Sequence, residues 1–343
     1  MTAALRIRAA GPGVTVQDAG RRGLLRFGVT PAGPMDEGAF AAATLAAGAP
    51  SGAAIEVSLG GVELEAVGAA IGLALAGGVF DARLDGRALP AACVVRLAAG
   101  AKLSLRAGPS GAWCYVAIFG RIDLAPVLGS LATHVRTGLG GLHGRCLRAG
   151  DVLPIADLRE APAEPMALDA LWLARETAPL RVLLGPQDDY FTAPAIDALL
   201  CANWRLSPRS DRMAYRLDGP RLEHAKGHDI VSDGVAFGAI QVPGDGAPLV
   251  LMADRQPTGG YPKIAHVIGA DLGALAQTRP GEGLRFRQIT WEEAVAARRA
   301  RGEAIAAGPR LALLAQGELS SEALLSANLV GGAVSATQDR DMD

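Results

Sequence analysis

The chain has 343 residues, enough for two domains of ordinary size with a core each, and half of those residues are hydrophobic. Only 4% are aromatic and 44 are glycine, so the core is expected to be built from Ala, Leu, Val and Ile between frequent turns. A formal net charge of −2 gives no electrostatic reason to expect nucleic acid or an anionic membrane as a partner.

Residues 1–8 already hold two arginines and develop no apolar stretch of the kind a secretory signal needs, so the expected location is cytoplasmic. Residues 36–47 are alanine-rich with Asp36 at their start, which predicts a helix. The period is two in the runs 53–59, 62–67, 70–75, 93–97, 102–106 and 113–119, which are short, apolar or alternating, and broken by Gly, Pro, Asp or Asn. That spacing predicts antiparallel strands closing into a barrel or sandwich. The longest apolar run, 67–80, is glycine-broken and shorter than the about 20 residues a bilayer requires, so it reads as buried strands. Cys93, Cys114, Cys146 and Cys201 lie far apart with no CxxC pair, which suits four reduced thiols better than a disulfide frame or a zinc site.

A boundary is expected near residues 157–178, where Arg159-Glu160-Ala161-Pro162-Ala163-Glu164-Pro165 interrupts the strand rhythm as a linker does. Beyond it, Arg181-Val182-Leu183-Leu184-Gly185-Pro186 echoes the pattern of residues 6–12, and Arg216-Leu217-Asp218-Gly219 echoes Arg83-Leu84-Asp85-Gly86. These echoes suggest a duplicated barrel: a first domain over 1–157, a linker over 158–179, a second domain over 180–290, and a helical extension and tail over 291–343. Residues 193–202 and 292–307 predict helices, and the polar C-terminal tail is expected to fray.

The densest polar segment runs from Gln241 through Pro243-Gly244-Asp245-Gly246 and on through Asp254-Arg255-Gln256-Pro257-Thr258-Gly259-Gly260-Tyr261-Pro262-Lys263. Glycines let the backbone approach a ligand, and Gln, Thr, Tyr and Lys offer hydrogen bonds to a planar amide or ureido group. The same residues also read as an ordinary hairpin turn followed by a wide surface loop. Only three of the 33 basic residues are lysines, at 102, 226 and 263, which singles out Lys263.

Several chemistries can be set aside. No Gly-Lys dipeptide occurs, so there is no Walker A loop, and no GxGxxG follows a strand pattern. Ser110 lacks a GxSxG frame. His224 and His228 are four apart but lack HExxH or a third ligand nearby, so they read as surface histidines and no metal site is expected.

Gly11-Pro12-Gly13-Val14-Thr15-Val16-Gln17-Asp18-Ala19-Gly20-Arg21-Arg22-Gly23, then Gly28-Val29 and Gly33-Pro34-Met35-Asp36, resembles the amino-terminal signature of the allophanate hydrolase subunit 2 family. This family is also called biotin-dependent carboxyltransferase-like, or KipI-antagonist, and it includes the C subunit of bacterial ATP-dependent 5-oxoprolinase. Ala54-Ile55-Glu56-Val57, Gly129-Ser130, Gly138-Leu139-Gly140-Gly141, Gly185-Pro186-Gln187-Asp188, Ser210-Asp211-Arg212-Met213 and the 241–263 segment continue the resemblance in order over nearly the full chain. Departures are Arg121 in place of a second glycine, Ala214-Tyr215 after Met213, and Leu131-Ala132-Thr133-His134, which puts a hydroxyl role there in doubt.

The resemblance implies a mostly β protein of two tandem cyclophilin-like antiparallel β-barrels with a few short helices. It also implies a heteromeric 5-oxoprolinase in which this chain and a partner of the B type use ATP, with Mg, to phosphorylate the lactam 5-oxoproline, and a partner of the A type assists opening to glutamate. Two other readings stay open: the carboxyltransferase component of a biotin-dependent, urea carboxylase-like enzyme, and a non-catalytic antagonist of a kinase inhibitor. Expected roles are substrate binding for Arg212, Gln241, Gln256, Thr258, Gly259, Gly260 and Tyr261, and catalysis for Asp254 as general base or metal-phosphate contact and for Lys263 as stabiliser of the developing oxyanion or phosphate charge. Asp18 and Arg21 are secondary candidates, with a local salt bridge shaping a glycine-rich turn as their alternative.

Overall fold

A computed structural model describes residues 3–174 and 178–314, and the tail expected to fray lies outside the described residues. The first sheet is built from β1 (Ala4–Ala10), β2 (Thr15–Gln17), β3 (Ala54–Val57), β4 (Val62–Val67), β5 (Ile71–Leu84), β6 (Arg87–Leu89), β7 (Cys93–Leu97), β8 (Lys102–Ile118), β9 (Arg121–Ile122), β10 (Val152–Ala156) and β11 (Met166–Asp169). Their order follows the path β11-β7-β5-β8-β4-β1-β10-β9, antiparallel throughout, with β3 on β8 and β2 on β3. Leu5 and Ile7 of β1, Leu64 of β4, Leu73 and Leu75 of β5, Val95 of β7, Val116 of β8 and Ile155 of β10 all pack into one buried cluster. Strands far apart along the path share that cluster, so the sheet curls into a barrel around it. Alternate residues face the other way. Ala74 and Ala76 of β5 and Ala117 of β8 join a second cluster with Ala39, Phe40 and Ala43 of helix α1 (Glu37–Ala46). Alanine is the fitting residue there, because a helix must lie close against the strand backbone. α1 starts where expected, with Asp36 Oδ1 accepting from the backbone N–H of Gly38 at 3.0 Å and of Ala39 at 3.1 Å.

The second sheet comprises β12 (Leu180–Leu184), β13 (Trp204–Leu206), β14 (Ala214–Asp218), β16 (Ala239–Gln241), β17 (Leu249–Leu251), β19 (Lys263–Val267), β20 (Gly283–Leu284) and β21 (Phe286–Gln288), while β15 (Asp233–Gly234) and β18 (Thr258–Gly259) form a small ribbon of their own. Helices α2 (Ala193–Cys201), α3 (Leu272–Ala276) and α4 (Trp291–Ala307) accompany it. The mostly β expectation with few helices holds, with one departure: β12 and β21 pair in parallel. These two strands are separated in sequence by nearly the whole barrel, which is the long connection a parallel pair requires. α4 opens on a capping box in which Thr290 and Glu293 exchange side-chain-to-backbone bonds.

Two strands lie in segments read from the sequence as linker and as helical extension. β11 lies in the stretch read as linker, and β22 (Arg310–Leu313), beyond α4, pairs with it. The prolines at 162 and 165 obscured the first, and the second follows a long helix with only a short alternation. The chain therefore returns to the first sheet after completing the second.

The barrels are joined by polar side chains as well as by the shared apolar cluster. Buried Gln277 accepts from the backbone N–H of Ala112 at 2.8 Å and of Trp113 at 3.0 Å, and donates to Trp113 O and Asp36 Oδ2. Trp113 Nε1 donates to Tyr215 Oη at 3.0 Å, which donates to Ala276 O at 2.8 Å. No helix among the described residues is long and apolar enough to cross a membrane.

All four cysteines are free, and burial pushes the Cys93 and Cys114 thiols up to about 12. At pH 8 a thiol reagent is expected to modify exposed Cys201 and half-buried Cys146 in the native protein, and all four only after unfolding. Reaction of Cys93 or Cys114 in the folded chain would contradict this.

Candidate functional site

The two barrels meet at Arg212, which leaves the turn before β14 and crosses to the first barrel. Its Nε and Nη2 donate to the two oxygens of Asp254 at 3.0 and 2.9 Å. Nη2 also reaches Gly33 O at 2.7 Å, and Nη1 pairs with Glu56 of β3. Glu56 is fully buried; its other oxygen accepts from Met35 N at 2.9 Å and from Tyr115 Oη at 2.7 Å. Tyr115 Oη accepts in turn from Asp36 N. Burial alone would pull the Arg212 guanidinium down, but Glu56 and Asp254 outweigh it and hold it above its ordinary value. Burial raises the Glu56 carboxyl, against the pull of Arg212 and its two donors.

Arg212 and Asp254 line a cleft of about 730 Å³ between the barrels. Trp113, Val135, Leu206, Met213 and Tyr215 give it apolar walls, and the exposed pair Arg136–Asp211, at 3.2 Å, lies at its edge. Buried His134 adds Nε2 at 3.4 Å from Asp254 O, with Nδ1 2.6 Å from Thr137 Oγ1. A planar ligand could lie against Trp113 with Asp254 within the same cleft.

The 241–263 segment gathers elsewhere, around the β15–β18 ribbon. Gln241 is buried and its Nε2 donates to Tyr261 O at 3.2 Å, while Gly259 packs so closely on Gln241 that a Cβ would fall 2.6 Å from that nitrogen. Lys263 lies on β19 with its Nζ 2.9 Å from Asp233 Oδ2 and its side chain 5% exposed. That ammonium and the N–H of Gly234 hold the Asp233 carboxyl below its usual range. Lys263 N donates to Gln187 Oε1 at 3.2 Å, and Gly185 sits against the Lys263 backbone where a side chain would clash. Gly260 O accepts from Ile230 N, Thr258 is exposed in the ribbon, and Tyr261 is 39% exposed. Gln256 has a buried Oε1 with no hydrogen-bond partner. The run from Asp254 to Thr258 connects the ribbon to the cleft.

Asp18 and Arg21 do not bond to each other. Asp18 accepts from Gly20 N, from Ser130 Oγ at 2.6 Å and from Leu131 N at 2.6 Å, whereas Arg21 donates to Val127 O at 3.0 Å and Ser130 O at 3.3 Å. Instead of forming a local salt bridge, they grip one turn of the first barrel from two sides. His224 and His228 stack edge-on at 6.2 Å, and His224 Nε2 lies 3.1 Å from Val242 O. Among the described residues no group of three or more His, Cys, Asp or Glu could hold a metal ion.

Sequence reasoning did not assign roles to Glu56, His134, Tyr115 or Arg255. Glu56 was within reach, because a glutamate between Ile55 and Val57 in a buried strand implies a buried cation opposite it.

A family model for the carboxyltransferase domain, subdomains A and B, matches residues 27–288. The chain belongs to this family. The resemblance carried by the amino-terminal and 241–263 motifs is thereby borne out. Among proteins similar to this carboxyltransferase-family chain, the 5-oxoprolinase C subunit of Escherichia coli (strain K12) is 40% identical over 298 residues, covering 86% of this chain and 94% of that protein. A putative urea carboxylase of Emericella nidulans is 31% identical over 312 residues, covering 86% of this chain but 25% of its own length. The crystal structure of K. lactis urea amidolyase is similar with a TM-score of 0.82 and 28% identity over 93% of this chain, which spans 20% of that longer chain.

Proposed function

We propose that this chain is a cytoplasmic subunit of an ATP-dependent 5-oxoprolinase, working with B-type and A-type partners of that enzyme to convert 5-oxoproline to glutamate. The observation that carries this reading is coverage. The similarity to the 5-oxoprolinase C subunit of Escherichia coli runs over 94% of that protein at 40% identity, whereas the urea carboxylase relative is matched over a quarter of its length.

An amide is a poor electrophile, and converting its oxygen to a phosphate ester creates a good leaving group. For this chemistry the chain contributes Asp254 as the general base of the cleft, with Arg212 fixing the orientation of its carboxylate. Lys263 stabilises developing negative charge, and Gln241, Gln256, Thr258, Gly259, Gly260 and Tyr261 shape and hydrogen-bond the ligand side of the ribbon. A nucleotide fits this chain's own cleft poorly. Its walls are apolar, and its two arginines, Arg136 and Arg212, already pair with carboxylates, so no run of free donors is left to cradle a triphosphate. The ATP and Mg contacts are therefore assigned to the B-type partner.

The isolated chain is expected to show no 5-oxoproline-dependent ATP hydrolysis, and mixing it with B-type and A-type partner proteins is expected to restore turnover. Glutamate release from 5-oxoproline, measured with and without avidin, tests the reading. Avidin-insensitive glutamate formation supports it, whereas avidin-sensitive, bicarbonate-dependent ATP use without glutamate would replace it with biotin-dependent carboxyl transfer.

A further inference from the structure

Gln241 and Lys263 are cross-strand partners on β16 and β19, so their side chains leave the same face of the second sheet. Both residues are buried, and both side chains meet the β15–β18 ribbon. Lys263 Nζ reaches Asp233 Oδ2 of β15 at 2.9 Å, and Asp233 pairs with Gly259 of β18. Gly259 in turn rests on the Gln241 amide, where a Cβ would fall 2.6 Å from Nε2, and that Nε2 donates to Tyr261 O at 3.2 Å just beyond β18. Lys263, Asp233, Gly259 and Gln241 thus close a ring in which two polar side chains of the sheet are capped by two residues of the ribbon.

Little else holds the ribbon down. Residues 231–234 are exposed, Val231 at 92%, and none of them joins an apolar cluster; the first buried side chain after them is Val235, packed with Ala214, Ala239 and Leu251. The bonds from Ile230 N to Gly260 O and from Val235 N to Pro257 O tie the two sides of the ribbon to each other and not to the sheet beneath. A segment with so few apolar contacts opens at small cost. The ion pair is uneven in the same sense, because the Asp233 side chain is 57% exposed and that of Lys263 is 5% exposed. When the ribbon lifts, the carboxylate passes into water. The ammonium, whose one hydrogen-bond partner among the described residues is Asp233, is left with three free donors beside a freed Gln241 amide, and it favours a replacement anion.

We propose that the β15–β18 ribbon is a lid latched by Asp233, and that the substrate opens it by setting an oxyanion on Lys263 in place of the Asp233 carboxylate. Asp233 is then a positioning residue: it holds the ammonium in the closed chain and releases it to the ligand. Gln241, no longer pressed by Gly259 or bonded to Tyr261 O, offers one donor group and one acceptor to a lactam, whose N–H and C=O lie side by side. Resting on the 5-oxoprolinase reading, the displacing oxyanion is the carboxylate of 5-oxoproline or the phosphoryl group on its activated lactam.

Because the chain has only three lysines, at 102, 226 and 263, amine labelling reads the latch site by site. The full chain is labelled briefly with acetic anhydride at about pH 8, below the lysine range, and each lysine is followed by mass spectrometry. Lys263 is expected to react about tenfold or more slower than exposed Lys102, and Asp233→Asn is expected to speed its reaction about fivefold or more. Lys226 pairs with Asp189 in the open, so Asp189→Asn measures the gain from lost pairing alone, which the gain at Lys263 is expected to exceed about threefold. If Asp233→Asn fails to fold, wild-type labelling in about 1 M sodium chloride decides: a rise at Lys263 relative to Lys226 supports the lid, and an unchanged ratio overturns it. In the complex reconstituted with B-type and A-type partners, Asp233→Asn is expected to raise kcat/KM for 5-oxoproline about threefold or more, because the closed state no longer competes with the ligand. The gain falls on KM if the substrate carboxylate displaces Asp233, and on kcat if the phosphoryl group does. A residue that only props Lys263 in place would lower kcat/KM. Labelling of Lys263 that does not exceed the pairing control, or an unchanged or lowered kcat/KM, overturns the lid. A complex that forms no glutamate sinks the oxoprolinase reading alone, since the labelling ratios still decide this inference.

Discussion

Arg212→Met is expected to destabilise the folded chain by about 3–5 kcal/mol, the usual effect of removing one partner from a buried ionic network. The substitution strands Glu56, which is fully buried, and Asp254, which is nearly so, without the cation that both face. Tyr115 and Met35 N still donate to Glu56, so the loss falls chiefly on the uncompensated charge and not on unmet hydrogen bonds. Urea unfolding monitored by tryptophan fluorescence measures the change. Because Trp113 lies beside the network and Trp204 in the second barrel, it also reports whether the halves lose their packing together. A loss below about 1 kcal/mol, the range of a surface pair, would mean that this network contributes little to holding the barrels.

Lys263→Met is expected to lower turnover of the reconstituted complex by roughly 10² or more while changing stability little. The structure makes this contrast sharp. The lysine side chain is buried, but its partner Asp233 is 57% exposed, so removing the ammonium leaves a carboxylate that water can solvate. The methionine stem refills the lysine's apolar volume against β19's neighbours. A folded variant with a near-wild-type melting temperature and full turnover would remove Lys263 from the mechanism. A large loss of stability with proportionate loss of activity would assign it to holding the ribbon.

Much of the architecture was legible because alternation is a direct record of a barrel wall. β4 reads Val62-Glu63-Leu64-Glu65-Ala66-Val67, and its inward residues are the buried ones. Asp36 announced its helix because a side chain that accepts from exposed N–H groups is nearly obligatory there. β11 and β22 escaped because a four-residue strand carries too little pattern to stand out from prolines or a helix end, and only its partner defines it. In the site, the 241–263 segment was recognisable by composition, but composition does not say that Asp254 faces one way with Arg212 while Lys263 faces another with Asp233. Nor does a sequence reveal that Arg21 and Asp18, three apart, make no bond to each other and clasp a turn more than a hundred residues away. Long-range pairing of charges is a property of the closed fold, and no local spacing encodes it.

The return of β22 to β11 sets an order of events during synthesis. β11 can pair with β7 as soon as it leaves the ribosome, but its other edge has to wait for residues 310–313, after the entire second sheet and α4 have been made. At typical bacterial or eukaryotic elongation rates that interval is on the order of ten seconds. For that time the nascent protein carries an open row of backbone donors and acceptors, which another chain could occupy in place of its own C-terminal strand.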